Sequence, residues 1–182
     1  MAQKIDVLIT YLEQTDRPGY ASQPQPSGKL AILRAEKPPV HFYRYIHGCI
    51  GDPHKWVSRK TMKDADLSNI IHHPDNHIYV LYVDGVPAGL AEIDARNGKV
   101  VELKFFGLVP DFTGRGFGRY FLSQAIDLAW SLAPERVILE TCTLDHPAAL
   151  PLYQKFGFTV FDQRKGQIEL PDAIAINENK PN

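Results

Sequence analysis

Lys99-Val100-Val101-Glu102-Leu103-Lys104-Phe105-Phe106-Gly107-Leu108-Val109-Pro110-Asp111-Phe112-Thr113-Gly114-Arg115-Gly116-Phe117-Gly118-Arg119 is the stretch from which the fold is read. An apolar strand over 100–109 meets a Pro110-Asp111 break and then a glycine-dense turn at 113–118. The turn opens into a helix over 116–132, because Phe117, Phe121, Ala125, Leu128 and Leu132 recur at steps of three to four residues. The first N–H groups of a helix have no partner inside it, and the macrodipole adds partial positive charge there. Glycines let phosphate oxygens approach that backbone without a Cβ in the way, and Arg115 and Arg119 add cationic side chains beside it. The stretch reads as a cradle for a diphosphate. It is not a P-loop, since Phe117-Gly118-Arg119 stands where Gly-Lys-Ser/Thr is required. It is not the dinucleotide fingerprint either, because the glycines are spaced G-x-G-x-G in mid-chain rather than G-x-G-x-x-G at the start of a βαβ unit.

Upstream lies an antiparallel meander. The run 78–83 is continuous and β-rich, Asp84-Gly85 turns it into 86–95, and Asn97-Gly98 turns that into 100–109. If both are two-residue turns, Val80 faces Gly89, Ala91 faces Lys104 and Ile93 faces Glu102. One face then carries Ile78, Val80, Ala91, Ile93, Glu102, Lys104 and Phe106, and the other Tyr79, Leu81, Leu90, Leu103 and Phe105. Both faces are largely apolar, so helices are expected on both sides of the sheet. Glu102 and Lys104 stand out on such a face.

Further upstream, 5–12 and 30–33 read as strands that pair with each other across a Pro- and Gly-rich loop at 13–28. Helices are expected over 40–49 and 63–72. Downstream, 136–143 is a strand reached through the helix, which implies a right-handed parallel crossover. Ala149, Leu152, Tyr153 and Phe156 then share one helical face ahead of Gly157. Residues 158–162 and 167–170 read as a closing antiparallel pair, and residues past Pro171 as a tail.

The chain has 182 residues, 44% of them apolar, which suits one globular domain. Its net charge of −1 gives no electrostatic argument for nucleic acid or a membrane surface. No segment approaches the roughly 20 apolar residues of a membrane span. Asp6 comes too early for a secretory signal, and Cys49 and Cys142 form no ligand pattern, so a cytoplasmic protein with reduced thiols is expected.

Two motifs together identify a family. The segment 108–118 resembles the acyl-CoA pyrophosphate loop, R/Q-x-x-G-x-G/A, of the GNAT superfamily of acyl-CoA-dependent N-acyltransferases. Residues 145–158, containing Leu152-Tyr153-Gln154-Lys155-Phe156-Gly157-Phe158, resemble that family's strand-five and helix-four segment ending in L-Y-x-x-x-G-F. The resemblance covers roughly 76–162. It implies an α/β fold with a mixed sheet, in which the antiparallel meander leads into a parallel pair, the family's fourth and fifth strands, with helices on both faces. The expected organisation is an N-terminal strand and flexible loop at 1–29, a single N-acyltransferase domain at 30–170 and a tail at 171–182.

The implied activity is transfer of an acetyl group from acetyl-CoA to a primary amine through a ternary complex; the alternative is a non-catalytic acyl-CoA sensor or interaction module. In the family, the fourth strand splays from the fifth and the pantetheine arm lies in the gap, with Gly107 the expected bulge. Backbone groups of Phe106, Gly107, Leu108 and Val109 would then meet pantetheine, and the amides of Gly114, Arg115, Gly116, Phe117, Gly118 and Arg119 the diphosphate. Thr113 stands where Arg or Gln is usual, and Asp145 where Asn is frequent, able to accept a pantetheine N–H but not to donate as an amide does. Ala149 and Leu152 complete the coenzyme set. Tyr153 falls where the family often keeps a general acid for the departing thiolate, and Glu102 where several members carry a base acting through water. Tyr43, Tyr45, Trp56 and Arg59, together with Arg44 and His47, crowd the segment in which the family builds its acceptor pocket. A possible partner is a second copy of the chain, as family members commonly dimerise. His72, His73 and His77 match no ligand spacing and read as solvated loop histidines, so no metal is expected.

Overall fold

A computed structural model describes residues 3–19 and 23–171. The expected tail beyond Pro171, and residues 20–22 of the expected loop, lie outside the described residues. The strands are β1 (Gln3–Gln14), β2 (Leu30–Arg34), β3 (Asn76–Val83), β4 (Val86–Asn97), β5 (Val100–Leu108), β6 (Arg136–Cys142) and β7 (Thr159–Leu170); the α-helices are α1 (Val40–Gly51), α2 (Asp64–Ile71), α3 (Phe117–Ser131) and α4 (Ala149–Lys155). The seven strands among the described residues form one mixed sheet in the order β2-β3-β4-β5-β6-β1-β7, with β5 and β6 parallel across the α3 crossover.

Helices cover both faces. Tyr43, Ile46 and Ile50 of α1 and Leu67 and Ile71 of α2 pack on Ile78 and Leu90. On the opposite face, Phe117, Phe121, Leu122, Ala125, Ile126 and Ala129 of α3 join Tyr153, Phe156 and Phe158 over Leu81, Ala91, Ile93, Val101, Leu103, Val137 and Leu139. The buried α3 residues recur at the helical period, which is why that segment folds against the sheet.

The meander differs from expectation in register. The first turn is as read: Val83 faces Val86, with φ of 51° at Asp84 and 86° at Gly85. Beyond it an irregularity between Leu81 and Tyr82 moves Leu90, rather than Gly89, opposite Val80. The second turn falls on Gly98 and Lys99, between the paired Asn97 and Val100, not on Asn97-Gly98. A further irregularity leaves Lys104 as an extra residue, because Glu92 faces Phe105 while Ile93 faces Leu103; Ala91 accordingly faces Phe106. Each slip exchanges faces. Leu90 and Phe105 therefore sit on the α1 side, and Ala91 and Ile93 on the α3 side with Leu81 and Leu103.

The ends of the chain are also paired differently. β1 does not pair with β2; it lies between β6 and β7, antiparallel to both. The two short closing strands are one strand, β7, which runs beside β1 from Leu170↔Gln3 to Thr159↔Glu13. Its polar middle, Gln163-Arg164-Lys165, continues the strand because β7 is an edge whose outer residues face water.

Candidate active site

β5 and β6 are paired only at Val100↔Arg136, Val101↔Val137 and Glu102↔Ile138, although both strands continue beyond. From Leu103 to Leu108 the β6-facing edge of β5 has no strand partner among the described residues, and the two strands part into a slot. The bulge beside this slot is at Lys104, not at Gly107, which pairs regularly with Leu90. Gly107 is required for another reason: a Cβ there would stand 2.5 Å from Ile50 Cγ2, so only glycine lets α1 lie this close to β5.

At its wide end the slot leads to the loop that precedes α3. Pro110–Phe112 is a 3-10 turn, Thr113 is extended, and Gly114 and Gly116 have φ of 74° and 83°. Gly116 caps α3 with no side-chain hydrogen bond. Among the described residues, the amides of 114–119 donate to no acceptor outside the helix. Arg115 and Arg119 are exposed, and the Arg115 guanidinium lies 5.0 Å from the Phe117 ring centroid. Two donors beside the slot are engaged within the chain. The Val109 amide donates to the Ala88 carbonyl at 2.9 Å, and the Thr113 hydroxyl donates to the Pro110 carbonyl at 2.8 Å.

Asp145 is similarly committed. Its Oδ2 accepts from Thr141 Oγ1 at 2.7 Å and from the Cys142 amide at 2.9 Å, and its Oδ1 accepts from Trp56 Nε1 at 3.0 Å. Ala149 and Leu152 of α4 are half-buried against the core. Phe106 lies on the α3 face, 5.3 Å from the Phe121 ring.

Tyr153 is 8% exposed within the α3-side core, and its hydroxyl makes no hydrogen bond among the described residues. Burial first, and the Asp145 carboxylate second, hold its pKa well above that of an ordinary tyrosine, so it keeps its proton. Glu102 stands at the closed end of the slot. Its Oε1 accepts from Lys104 Nζ at 2.9 Å, and Lys104 Nζ is 3.6 Å from Glu140 Oε1. Burial works against the Lys104 charge, but the two carboxylates outweigh it and raise its pKa. Glu102 also lines an open cavity of about 290 Å³ with Asp94, Arg96, Asn97, Val100 and Ile138.

The four expected acceptor residues do not share one environment. Tyr45 is exposed on α1, and Trp56 is half-buried. Tyr43 and Arg59 are buried and bound to a residue the sequence reading passed over, Glu92. Glu92 is 0% exposed; Arg59 Nη2 donates to it at 2.6 Å, Asn76 Nδ2 at 3.2 Å, and the Tyr43 hydroxyl completes the set. Arg59 also lies over the Phe105 ring, at 5.5 Å, and Phe105 is the cross-strand partner of Glu92 beside the Lys104 bulge. The signal that could have found this network was an acidic residue inside an otherwise apolar strand, 88–93.

Of the three histidines, His73 is a loop residue as read, its side chain 41% exposed, whereas the other two are tied into the fold. His77 is buried in β3, and the His72 Nε2 N–H donates to the Pro38 carbonyl at 2.9 Å. Among the described residues, no group of three or more His, Cys, Asp or Glu is arranged to hold a metal ion, and no helix is long and apolar enough to cross a membrane.

Comparison with known proteins bears on this geometry. The profile of the acetyltransferase (GNAT) family matches residues 36–158. No curated protein is detectably similar in sequence. Among solved structures, a GCN5-related N-acetyltransferase from Sphaerobacter thermophilus superposes with a TM-score of 0.62 at 14% identity, over 92% of this chain and 53% of that one. An acetyltransferase of the GNAT family from Novosphingobium aromaticivorans gives 0.60 at 17% identity, over 90% and 65%. The aminoglycoside N-acetyltransferase AAC(6')-Iy, in complex with CoA, gives 0.56 at 17% identity, over 77% and 94%. At these identities the likeness is one of fold. The chain spans 53% and 65% of the length of the first two.

Proposed function

The chain belongs to the acetyltransferase (GNAT) family, and from that premise we propose that it transfers an acetyl group from acetyl-CoA to a primary amine. The observation that carries the reading is the slot itself: a β5 edge without a strand partner from Leu103 to Leu108, leading into the amides of 114–119. An extended amide-bearing arm fits the slot as a substitute strand, and a diphosphate fits the helix N-terminus with its two flanking arginines. Of the expected contacts, the peptide groups of Phe106, Gly107 and Leu108 and the amides of Gly114, Arg115, Gly116, Phe117, Gly118 and Arg119 would hold the coenzyme. Ala149 and Leu152 would line its path. The Val109 amide and the Thr113 hydroxyl would shape the slot rather than bind within it, because they donate elsewhere. Asp145 Oδ1, which accepts from Trp56 alone among the described residues, would keep a lone pair for a pantetheine N–H.

Bound acetyl-CoA supplies a thioester whose carbonyl an amine attacks, with departure of the coenzyme thiolate. The chain's part is to move two protons. Glu102 receives the proton lost by the acceptor, through a water, on the carboxylate oxygen not bound to Lys104. Tyr153, held protonated by burial and by Asp145, donates to the thiolate as it forms. The cavity beside Glu102, with the Asp94 and Arg96 charges on its wall, is where the acceptor amine would enter. Transfer from acetyl-CoA to a panel of amines, followed by release of free thiol, tests the reading. Tyr153→Phe is expected to lower kcat by about 10²-fold or more with CoA affinity unchanged. Unchanged turnover would return Tyr153 to a purely core role, and no transfer to any amine would favour a coenzyme-binding module instead.

A further inference from the structure

Trp56 stands where the slot opens toward α1. Its indole touches both walls. On β5, the Phe105 ring centroid is 5.1 Å away, and Trp56 Cη2 is 3.5 Å from where a Gly107 Cβ would stand. On the far side, Nε1 donates at 3.0 Å to Asp145, in the loop that follows β6. Asp145 is itself fixed by Thr141 and the Cys142 amide, so this anchor does not swing. Behind the indole lie His47, with ring centroids 5.4 Å apart, and Gly51, where an added Cβ would come within 2.6 Å. The Trp56 amide donates to the Gly51 carbonyl at 3.0 Å, and His54 Nδ1 lies 3.1 Å from the Leu144 carbonyl oxygen, tying the same segment to the β6 side a second time. A large, rigid aromatic group is thus pinned across the mouth between two strands that have parted.

We propose that Trp56 is a specificity-determining residue that ends the acyl site and restricts the thioester to an acetyl group. The inference rests on the reading of the slot as an acyl-CoA site. An acyl chain that continued toward α1 would meet the indole edge, and making room would require breaking the Asp145 hydrogen bond and pushing the ring into His47 and Gly51. Interiors packed this closely reject added methylenes instead of yielding to them.

Titration calorimetry with CoA, acetyl-CoA and butyryl-CoA tests the role without requiring a known acceptor. The wild type is expected to bind butyryl-CoA about tenfold or more weakly than acetyl-CoA, the scale of discrimination set by one or two methylenes against a closed wall. Trp56→Ala is expected to abolish that ratio, whereas Trp56→Phe, which keeps an aromatic wall, retains most of it. If Trp56→Ala loses its cooperative thermal transition, Trp56→Leu carries the same expectation with less cavity left behind. Equal binding of the two thioesters by the wild type, or an unchanged ratio in a folded Trp56→Ala or Trp56→Leu, overturns the inference while leaving CoA binding intact. Failure of the wild type to bind CoA at all removes the acyl-CoA reading first, and this inference with it.

Discussion

Glu92→Leu is expected to be the costliest single change on the α1 face. The Glu92 carboxylate is fully buried and accepts from Arg59, Asn76 and the Tyr43 hydroxyl. Removing it leaves the Arg59 guanidinium, whose side chain is 7% exposed, without its counter-ion, and Arg59 Nε already lacks a partner among the described residues. Breaking a buried pair by deleting one member costs about 3–5 kcal/mol, most of it the penalty of the stranded charge. For a domain of this size that corresponds to a loss of about 6–20 °C in Tm, at about 2–4 °C per kcal/mol. Replacing both members removes the stranded charge, so Glu92→Leu with Arg59→Met is expected to recover most of the loss. Urea unfolding of the two single variants and the double variant supplies the cycle. A coupling below about 1 kcal/mol, with the single costs simply adding, would mean instead that Arg59 finds solvent or another partner when Glu92 is gone and that no charge is stranded.

Acid should destabilise the protein through His47. Burial first, and the Arg59 charge next, lower its pKa to about 4, so it is neutral in the fold and charged in the unfolded chain below the ordinary value of 6.5. Stability from this group is therefore complete above about pH 6.5 and lost as pH falls toward 4, by about 3 kcal/mol in all. Denaturant titrations from pH 7 to 4 should show a shallower decline in His47→Phe; identical slopes would mean that His47 becomes protonated in place. At the α3 cap, Gly116→Asp is expected to weaken CoA binding about tenfold or more relative to Gly116→Asn, which has the same shape without the charge. Equal affinities in calorimetry would separate the diphosphate from that helix end.

What could be read from the chain alone was local. The period of α3, the Asp84-Gly85 turn and the parallel crossover are written in neighbouring residues, and each is present. Partner choice at long range was not. Nothing between 3 and 14 says that the strand will lie between β6 and β7, whose residues are more than a hundred positions away. Register failed where a single extra residue enters a strand, because Lys104 looks like any other strand position until its partners are known. The same limit hid the site's supports. Glu92 is one acidic residue in an apolar run whose partners Tyr43, Arg59 and Asn76 lie 16 to 49 positions away, and Trp56 and Asp145 lie 89 positions apart in sequence yet share a hydrogen bond. Tyr153 could be named as a candidate from its motif and Glu102 from its place in the family resemblance, whereas the hydrogen bonds that Asp145 and the Val109 amide make within the chain required three dimensions.

Amide hydrogen exchange with and without saturating CoA reads the individual backbone groups that a coenzyme lying along β5 and the start of α3 would cover. New protection is expected in two segments, the β5 edge at 103–108 and the α3 cap at 114–119. CoA that leaves both segments exchanging as in the free protein, or protects only residues elsewhere, would contradict this placement of the coenzyme.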